Sequence, residues 1–317
     1  MMRVAVVGCG AFGRNHLRVA KESARARLVA AVDIDPVRAD AAARDYGCRA
    51  VAGWRELAGL VDAAIVATPT TAHAEVAAGL MEAGIDVLVE KPIASAIPEA
   101  QRLEQAARLT GRVLQVGHLE RFNPAVIALA GVVRLPLFFE IHRLNLFAPR
   151  SLDVDVVLDL MIHDVDLVLS MTGRMPEEVR AAGVRILSDK VDIANVRLAF
   201  PGGCVANLTA SRVSTERVRK LRLFQPHQYI SIDYAKQEGV AIRVGGNQQI
   251  DFQPLTAPKR EPLAAQFDAF LDACERKSPP AVDASQATRA LAVCLEILAR
   301  IEEHGDTVKK TLEQYAG

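Results

Sequence analysis

The sequence has no excess of charge of either sign: Lys and Arg total 38, and Asp and Glu total 38. Without a net field, a general nucleic-acid binder and a protein held to acidic membranes are both disfavoured. Cysteine is scarce and scattered. The five residues Cys9, Cys48, Cys204, Cys274 and Cys294 are odd in number and include no C-x-x-C pair. A disulfide framework and a zinc site are therefore not expected, and reduced, mostly buried thiols are the plain reading. No apolar run approaches the roughly 18 residues that a membrane span needs. The chain opens Met1-Met2-Arg3 and runs directly into Val4-Ala5-Val6-Val7, too short a stretch for a signal-peptide core. A cytoplasmic location is the default expectation. Internal repeats, low-complexity tracts and long linkers are also missing.

What remains is the composition of a soluble globular protein, half hydrophobic and about a quarter charged. At 317 residues two domains are the natural prior, with about 100–200 residues in each. The first part alternates short, continuous apolar runs with helical segments. Val4–Val7, Leu28–Val32, Ala63–Ala67, Val87–Val89 and Val113–Val116 read as strands. Arg14–Glu22, Pro36–Asp45, Ala72–Ala83 and Ile97–Leu109 read as helices. Unbroken apolar runs between helices are the signature of buried parallel strands, so residues 1–119 are expected to form a doubly wound α/β sheet of the Rossmann type. The pattern changes after Leu119. Asp155–Met171 has the spacing of a single helix. Val196, Leu198 and Phe200 then alternate with polar or small residues, Pro201-Gly202-Gly203 turns the chain, and Cys204–Ser211 returns. Leu221–Phe224, Tyr229–Asp233 and Val240–Val244 continue this alternation, and Gln286–Glu303 is a strong helix. Residues 120–317 thus read as a second α/β domain with a large, mainly antiparallel open sheet, whose C-terminal helix is free to pack back on the first domain.

Gly8-Cys9-Gly10-Ala11-Phe12-Gly13 is G-x-G-x-x-G. The pattern is weak alone, but here it follows a strand and opens a helix. Gly8 permits the tight turn, Gly10 lets the backbone approach a pyrophosphate, and Gly13 lets helix and strand pack closely. The free N–H groups at the helix start suit phosphate. Asp33 ends the second strand, placed to accept hydrogen bonds from ribose hydroxyls and to repel a 2′-phosphate. This favours NAD over NADP, although Arg38 offers a cation for the latter. The loop Thr68-Pro69-Thr70-Thr71 and His73 follow the third strand. Strand carboxyl ends are where open α/β sheets bind ligands, so Thr68, Pro69 and His73 are cofactor-side candidates. Thr71 reads instead as a helix N-cap.

Glu90-Lys91-Pro92 closes the fourth strand, again at a strand's carboxyl end, so Glu90 and Lys91 are cofactor-side candidates too. A lone lysine is usually a solvated charge, but here it would meet the nicotinamide, where positive charge and desolvation lower its pKa. On the long helix, Asp159 and His163 are i and i+4 and share a face, and Asp155 extends the stripe. They interrupt an otherwise apolar helix, and buried polar groups need partners. An Asp beside a His orients the imidazole for acid–base work. A satisfied core pair and a metal site are the alternatives, but no third His or Cys nearby favours a metal.

Together the glycine loop, Glu90-Lys91-Pro92 and Asp159…His163 resemble the Gfo/Idh/MocA oxidoreductases over essentially the whole chain. The resemblance implies an active-site triad of Lys91, Asp159 and His163, and a homodimer or homotetramer formed through the open sheet. The segment Gly117-His118-Leu119-Glu120-Arg121-Phe122-Asn123-Pro124, with Arg150 and the Asp155–Asp166 run, is similar to the nucleotide-sugar branch of that family. It implies oxidation of the C3 hydroxyl of a UDP-N-acetylhexosamine, a product passed to a pathway aminotransferase, and substrate contacts from Arg121, Asn123 and Arg150. For these three, a capped loop and ordinary surface charge fit equally well. In the implied scheme Asp159 orients His163, which takes the hydroxyl proton while Lys91 stabilises the alkoxide; the base could equally be Lys91. The other readings are a dehydrogenase of a free sugar or polyol, an NAD-using glycoside hydrolase and a non-catalytic nucleotide-sensing regulator.

Overall fold

The computed structural model describes residues 1–147, 154–245 and 249–315. They fall into two compact units, 1–119 with 261–288 and 120–260 with 289–317.

The first unit is built on six strands in the order β3-β2-β1-β4-β5-β6, all paired in parallel. The chain runs β1 (Met2–Val7), α1 (Ala11–Glu22), β2 (Ala26–Val32), α2 (Pro36–Tyr46), β3 (Arg49–Val51), β4 (Ala63–Val66), α3 (Thr70–Glu82), β5 (Asp86–Glu90), α4 (Ile97–Thr110) and β6 (Leu114–Gly117). β4 and β5 are buried at every residue, which is why they read as continuous apolar runs. The strand order reverses between β1 and β4. Ligands bind at such a switch point, outside the carboxyl ends of the strands. Punctuation is local: Asp35 caps α2 by accepting from Val37 N, with Pro36 at the first helical position, and Gly47 closes the helix in the left-handed region at φ +66°. Residues 261–288, assigned by the sequence reading to the second domain, belong here. The helix Pro262–Arg276 turns Leu263, Phe267, Phe270, Leu271 and Cys274 into one core with Leu17, Val19 and Ala20 of α1.

The second unit holds α5 (Pro124–Val132), β7 (Phe138–Leu146), α6 (Ile162–Thr172) and then β8 (Glu178–Val184), β9 (Ile193–Ala199), β10 (Val205–Ser214), β11 (Val218–Gln225), β12 (Gln228–Asp233), β13 (Glu238–Val244) and β14 (Ile250–Leu255). The strands form one sheet in the order β14-β13-β12-β11-β7-β10-β9-β8. Every pair is antiparallel except β7 with β10. Phe139, Ile141, Leu208, Leu221, Leu223 and Ile230 project from one face into a core with Val157, Met161, Ile162 and Val165. Phe138, Phe224 and Tyr229 lie in contact across the other face, with ring centroids 5.8 Å and 4.9 Å apart.

Two further departures from the sequence reading bear on the site. β7, central to the sheet, was not expected, because its inward row Phe139, Ile141, Arg143 ends in a charge. Arg143 is nonetheless buried. The expected single helix from Asp155 is instead a π turn, Val157–Met161, followed by α6. Ile162 N–H bonds to Val157 O, five residues back. Asp155 lies before the helix, and its carboxylate accepts from Val191 N–H at 2.8 Å.

Candidate active site

The glycine loop follows β1, and each glycine answers a different demand. Gly8 has φ +98°, and a Cβ there would lie 2.5 Å from Ala67 O. A Cβ on Gly13 would lie 1.8 Å from Gly8 O, so the close packing of α1 on the loop forbids any side chain. At Gly10 a Cβ would meet nothing within 4 Å. The space over Gly10 is thus open, as the approach of a pyrophosphate requires. Gly10 is also the N-cap of α1, with no side-chain cap and no acidic residue in the first turn. Ala11 and Phe12 are exposed there, and their helix end favours an anion.

Asp33, at the end of β2, is buried. One carboxylate oxygen accepts from Cys9 N–H at 2.8 Å and the other from Asp35 N–H at 2.9 Å. It therefore braces the glycine loop, while each oxygen keeps a further lone pair for a ribose hydroxyl. Arg38, the cation that could have met a 2′-phosphate, is paired with Asp35 at 3.2 Å.

Beyond β4, the buried Oγ1 of Thr68 finds no hydrogen-bond partner among the described residues. An orphaned hydroxyl at a strand's carboxyl end fits a cofactor contact. Pro69 is exposed and takes the N-cap position of α3. Thr71, expected to be the cap, lies inside the first turn instead. His73 is buried and differs from the expected cofactor contact. Its Nδ1 lies 2.9 Å from Pro92 O and its Nε2 3.0 Å from Thr68 O, so the ring ties the two strand-end loops together. Burial holds it below the ordinary histidine range, against the raising effect of those carbonyls.

β5 ends in Glu90-Lys91-Pro92. The Lys91–Pro92 peptide is cis, and Lys91 is half-buried. Glu90, expected on the cofactor, turns its carboxylate inward. Oε1 lies 2.8 Å from His16 Nε2 on α1, and Oε2 accepts from Lys91 N–H at 3.3 Å. Sequence reasoning passed over His16, and nothing local to α1 could have signalled a partner 74 residues away.

In the second unit Asp159, in the π turn, and His163, in the first turn of α6, are both partly exposed while Leu160, Met161 and Ile162 between them are buried. Both thus reach the surface of a largely buried segment. The residues beside them are pinned. Arg121 makes a two-pronged pair with Asp166, at 2.6 and 2.8 Å. Arg143 does the same with Asp164, at 2.8 and 2.7 Å, and also reaches Glu120 at 2.8 Å. Its guanidinium sits over the Tyr234 ring, 5.2 Å from the centroid. Burial pushes the Asp164 carboxyl up, and the Arg143 charge opposes it.

Asn123, expected on the substrate, is buried. Its carbonyl caps α5 by accepting from Ala125 N–H, and its amide donates to Tyr234 O and Glu120. That commits the amide within the chain, as a capped loop requires. Arg121 likewise has its guanidinium occupied by Asp166. Arg150 lies outside the described residues.

Comparison with known proteins agrees with this architecture. A family model described as the GFO_IDH_MocA oxidoreductase family, NAD-binding Rossmann fold, matches residues 2–118, and the corresponding C-terminal domain model matches residues 142–227. The chain is 38% identical over 308 residues to the UDP-N-acetylglucosamine 3-dehydrogenase of Acidithiobacillus ferrooxidans, covering 95% of this chain and 97% of that one. A solved structure of the enzyme of that name and organism superposes with a TM-score of 0.90 at 37% identity, over 95% of this chain and 98% of the other. The inositol 2-dehydrogenase of Rhizobium meliloti is 26% identical over 316 residues, 92% of this chain and 94% of its own.

Proposed function

The chain belongs to the Gfo/Idh/MocA family of oxidoreductases with an NAD-binding Rossmann fold, and from that premise we propose that it oxidises the C3 hydroxyl of UDP-N-acetylglucosamine to a ketone. The observation that carries the substrate is the similarity along almost the full length, in sequence and in fold, to an enzyme named for that reaction. When bound, NAD supplies the hydride acceptor. The residues that would hold it are Gly8, Gly10, Ala11, Phe12 and Gly13 at the pyrophosphate, Asp33 at the ribose, and Thr68, Pro69 and Lys91 nearer the nicotinamide. The carboxylate of Asp33 supports NAD over NADP.

In this reading His163 takes the proton of the sugar hydroxyl. Its Nδ1 is buried. Asp159 favours the imidazolium that results. The ammonium of Lys91 stabilises the developing alkoxide, and positioning with electrostatics supplies most of the rate. Arg121 and Arg150 remain proposed neighbours of the substrate, Arg121 through its placement by Asp166. The aromatic cluster of exposed Phe224 with half-buried Phe138 and Tyr229 supports a homodimer or homotetramer through the open sheet face. A 3-keto sugar is a substrate for an aminotransferase.

The test is to mix the purified protein with NAD and UDP-N-acetylglucosamine and follow NADH absorbance, adding an aminotransferase and glutamate to pull the equilibrium. NADH and a 3-amino sugar are the expected products. No NADH while NAD binding is intact would overturn the substrate. The second reading would then be a polyol, which the likeness to an inositol dehydrogenase favours; a panel of inositols and free sugars would test it.

A further inference from the structure

The inner side of the first unit carries a buried polar pair that the scheme above does not use. His16 is 1% exposed and Glu90 7%, and their side chains meet at 2.8 Å. A carboxylate can only accept, so His16 Nε2 carries the proton of this bond. His16 Nδ1 finds no hydrogen-bond partner among the described residues, which leaves Glu90 as the ring's polar anchor among them. A carboxylate this buried is costly unless partnered, so the pair holds its place only while both members are present.

Three further contacts show what the pair connects. His16 lies on α1, one turn beyond the glycine loop, and packs edge-on against Phe12 of that loop, with ring centroids 5.3 Å apart. Glu90 Oε2 accepts the N–H of Lys91 itself. On the far side Gly117 at the end of β6 leaves room for the carboxylate, since a Cβ there would lie 2.7 Å from Glu90 Oε1. From these contacts we propose that Glu90 and His16 are positioning residues that hold Lys91 in register with the pyrophosphate loop, and that Gly117 is required because the Glu90 carboxylate occupies the space of its side chain. The inference rests on the assignment of Lys91 to stabilising the developing alkoxide.

Gly117 supplies a probe that changes no charge. Alanine at 117 meets only the far end of a flexible side chain, so the chain can fold with the carboxylate displaced. Glu90→Gln, His16→Gln and Gly117→Ala are compared with the double variant Glu90→Gln/His16→Gln. For each, kcat, KM for the sugar and the Kd for NAD are measured. A positioning pair predicts that each single variant loses about ten- to a hundredfold in kcat, the scale of a misplaced catalytic group. KM and the NAD Kd should stay within about threefold, and the double variant should be no slower than the worse single one. Losses that multiply in the double variant, or an unchanged kcat, would overturn the proposal. So would a fall in NAD affinity that accounts for the whole effect, which would make Glu90 a plain cofactor contact.

A second readout keeps this result separate from the substrate assignment. The acylation rate of Lys91 in the NAD-loaded protein, read by peptide mass spectrometry, needs no turnover. It should rise severalfold in Glu90→Gln and in Gly117→Ala, and an unchanged rate in both would sink the positioning role. If wild type does not oxidise the sugar yet the labelling changes, the substrate reading fails and the positioning role stands.

Discussion

At the scale of single residues, the glycine loop offers a clean separation of roles. Gly10→Ala places a methyl in open space, so the fold should keep its thermal midpoint while NAD affinity falls about tenfold or more, since the methyl enters the path of the pyrophosphate. Gly13→Ala forces a methyl onto the Gly8 carbonyl and should cost about 1–3 kcal/mol in denaturant unfolding, the range for overpacking. Calorimetric NAD titration and a urea melt on both variants check the pair of outcomes; equal behaviour of the two would refute the separation. Lys91→Met and His163→Asn should each lose about a hundredfold or more in kcat while NAD binding persists, because the first removes the charge that stabilises the alkoxide and the second the group that takes the proton. Near-normal turnover in either variant would remove that residue from the mechanism. The individual residue types and their spacing were legible in the sequence here. Glu90 and His73 were not: both were read as facing the cofactor, and both turned out to face other parts of the chain, His16 and two backbone carbonyls respectively. A strand end locates a residue near a ligand, but only neighbours from elsewhere in the chain decide which way its side chain turns.

At the scale of elements, the helix carrying Asp159 and His163 is anchored at several points. Arg143→Met would leave Asp164 and Glu120 buried without their cation and should cost about 3–5 kcal/mol of unfolding free energy. Asn123→Ala loses the cap of α5 and two donor contacts, and should cost about 1–2 kcal/mol. Urea unfolding of both measures the difference, and a cost for Asn123→Ala as large as for Arg143→Met would be inconsistent with this ranking. Asp192 stitches the chain between β8 and β9. Burial alone would push its carboxyl up. The N–H groups of Leu187, Ile186 and Ser188 and the Ser188 hydroxyl outweigh burial and hold it below its ordinary value. A carboxyl depressed in the folded state stabilises above its unfolded pKa, near about 4, and loses that contribution as pH falls through the folded value. Asp192→Asn should therefore be less stable than wild type at neutral pH, and the gap should narrow below about pH 4. Thermal melts across that range read it directly, and a gap independent of pH would contradict the sign. The π turn at Val157–Met161 belongs to this scale as well. Periodicity announced a helix of the right length, but the closing bond at five residues is a choice between nearly equal turns that the local pattern does not make.

At the scale of the whole molecule, NAD should stabilise chiefly the unit that holds its loop. At a hundred times its Kd, NAD adds about 2.7 kcal/mol to whatever it binds, and amide exchange should slow in residues 1–119 more than in 178–244. Uniform slowing of both segments would argue against a cofactor site confined to the first unit's residues. The sequence by itself determined the parallel and antiparallel halves, the change of character after Leu119 and the positions of the glycine loop, Lys91, Asp159 and His163. All of these are written in contiguous patterns, such as the period of burial along a strand and the glycines that a tight turn demands. Only the tertiary structure decided that residues 261–288 join the first unit, that a strand carrying a buried arginine runs through the middle of the second sheet, and that Glu90 faces His16. Each of these depends on residues far apart in the chain, and burial of a charge is settled by the partner that arrives there, which no local window contains.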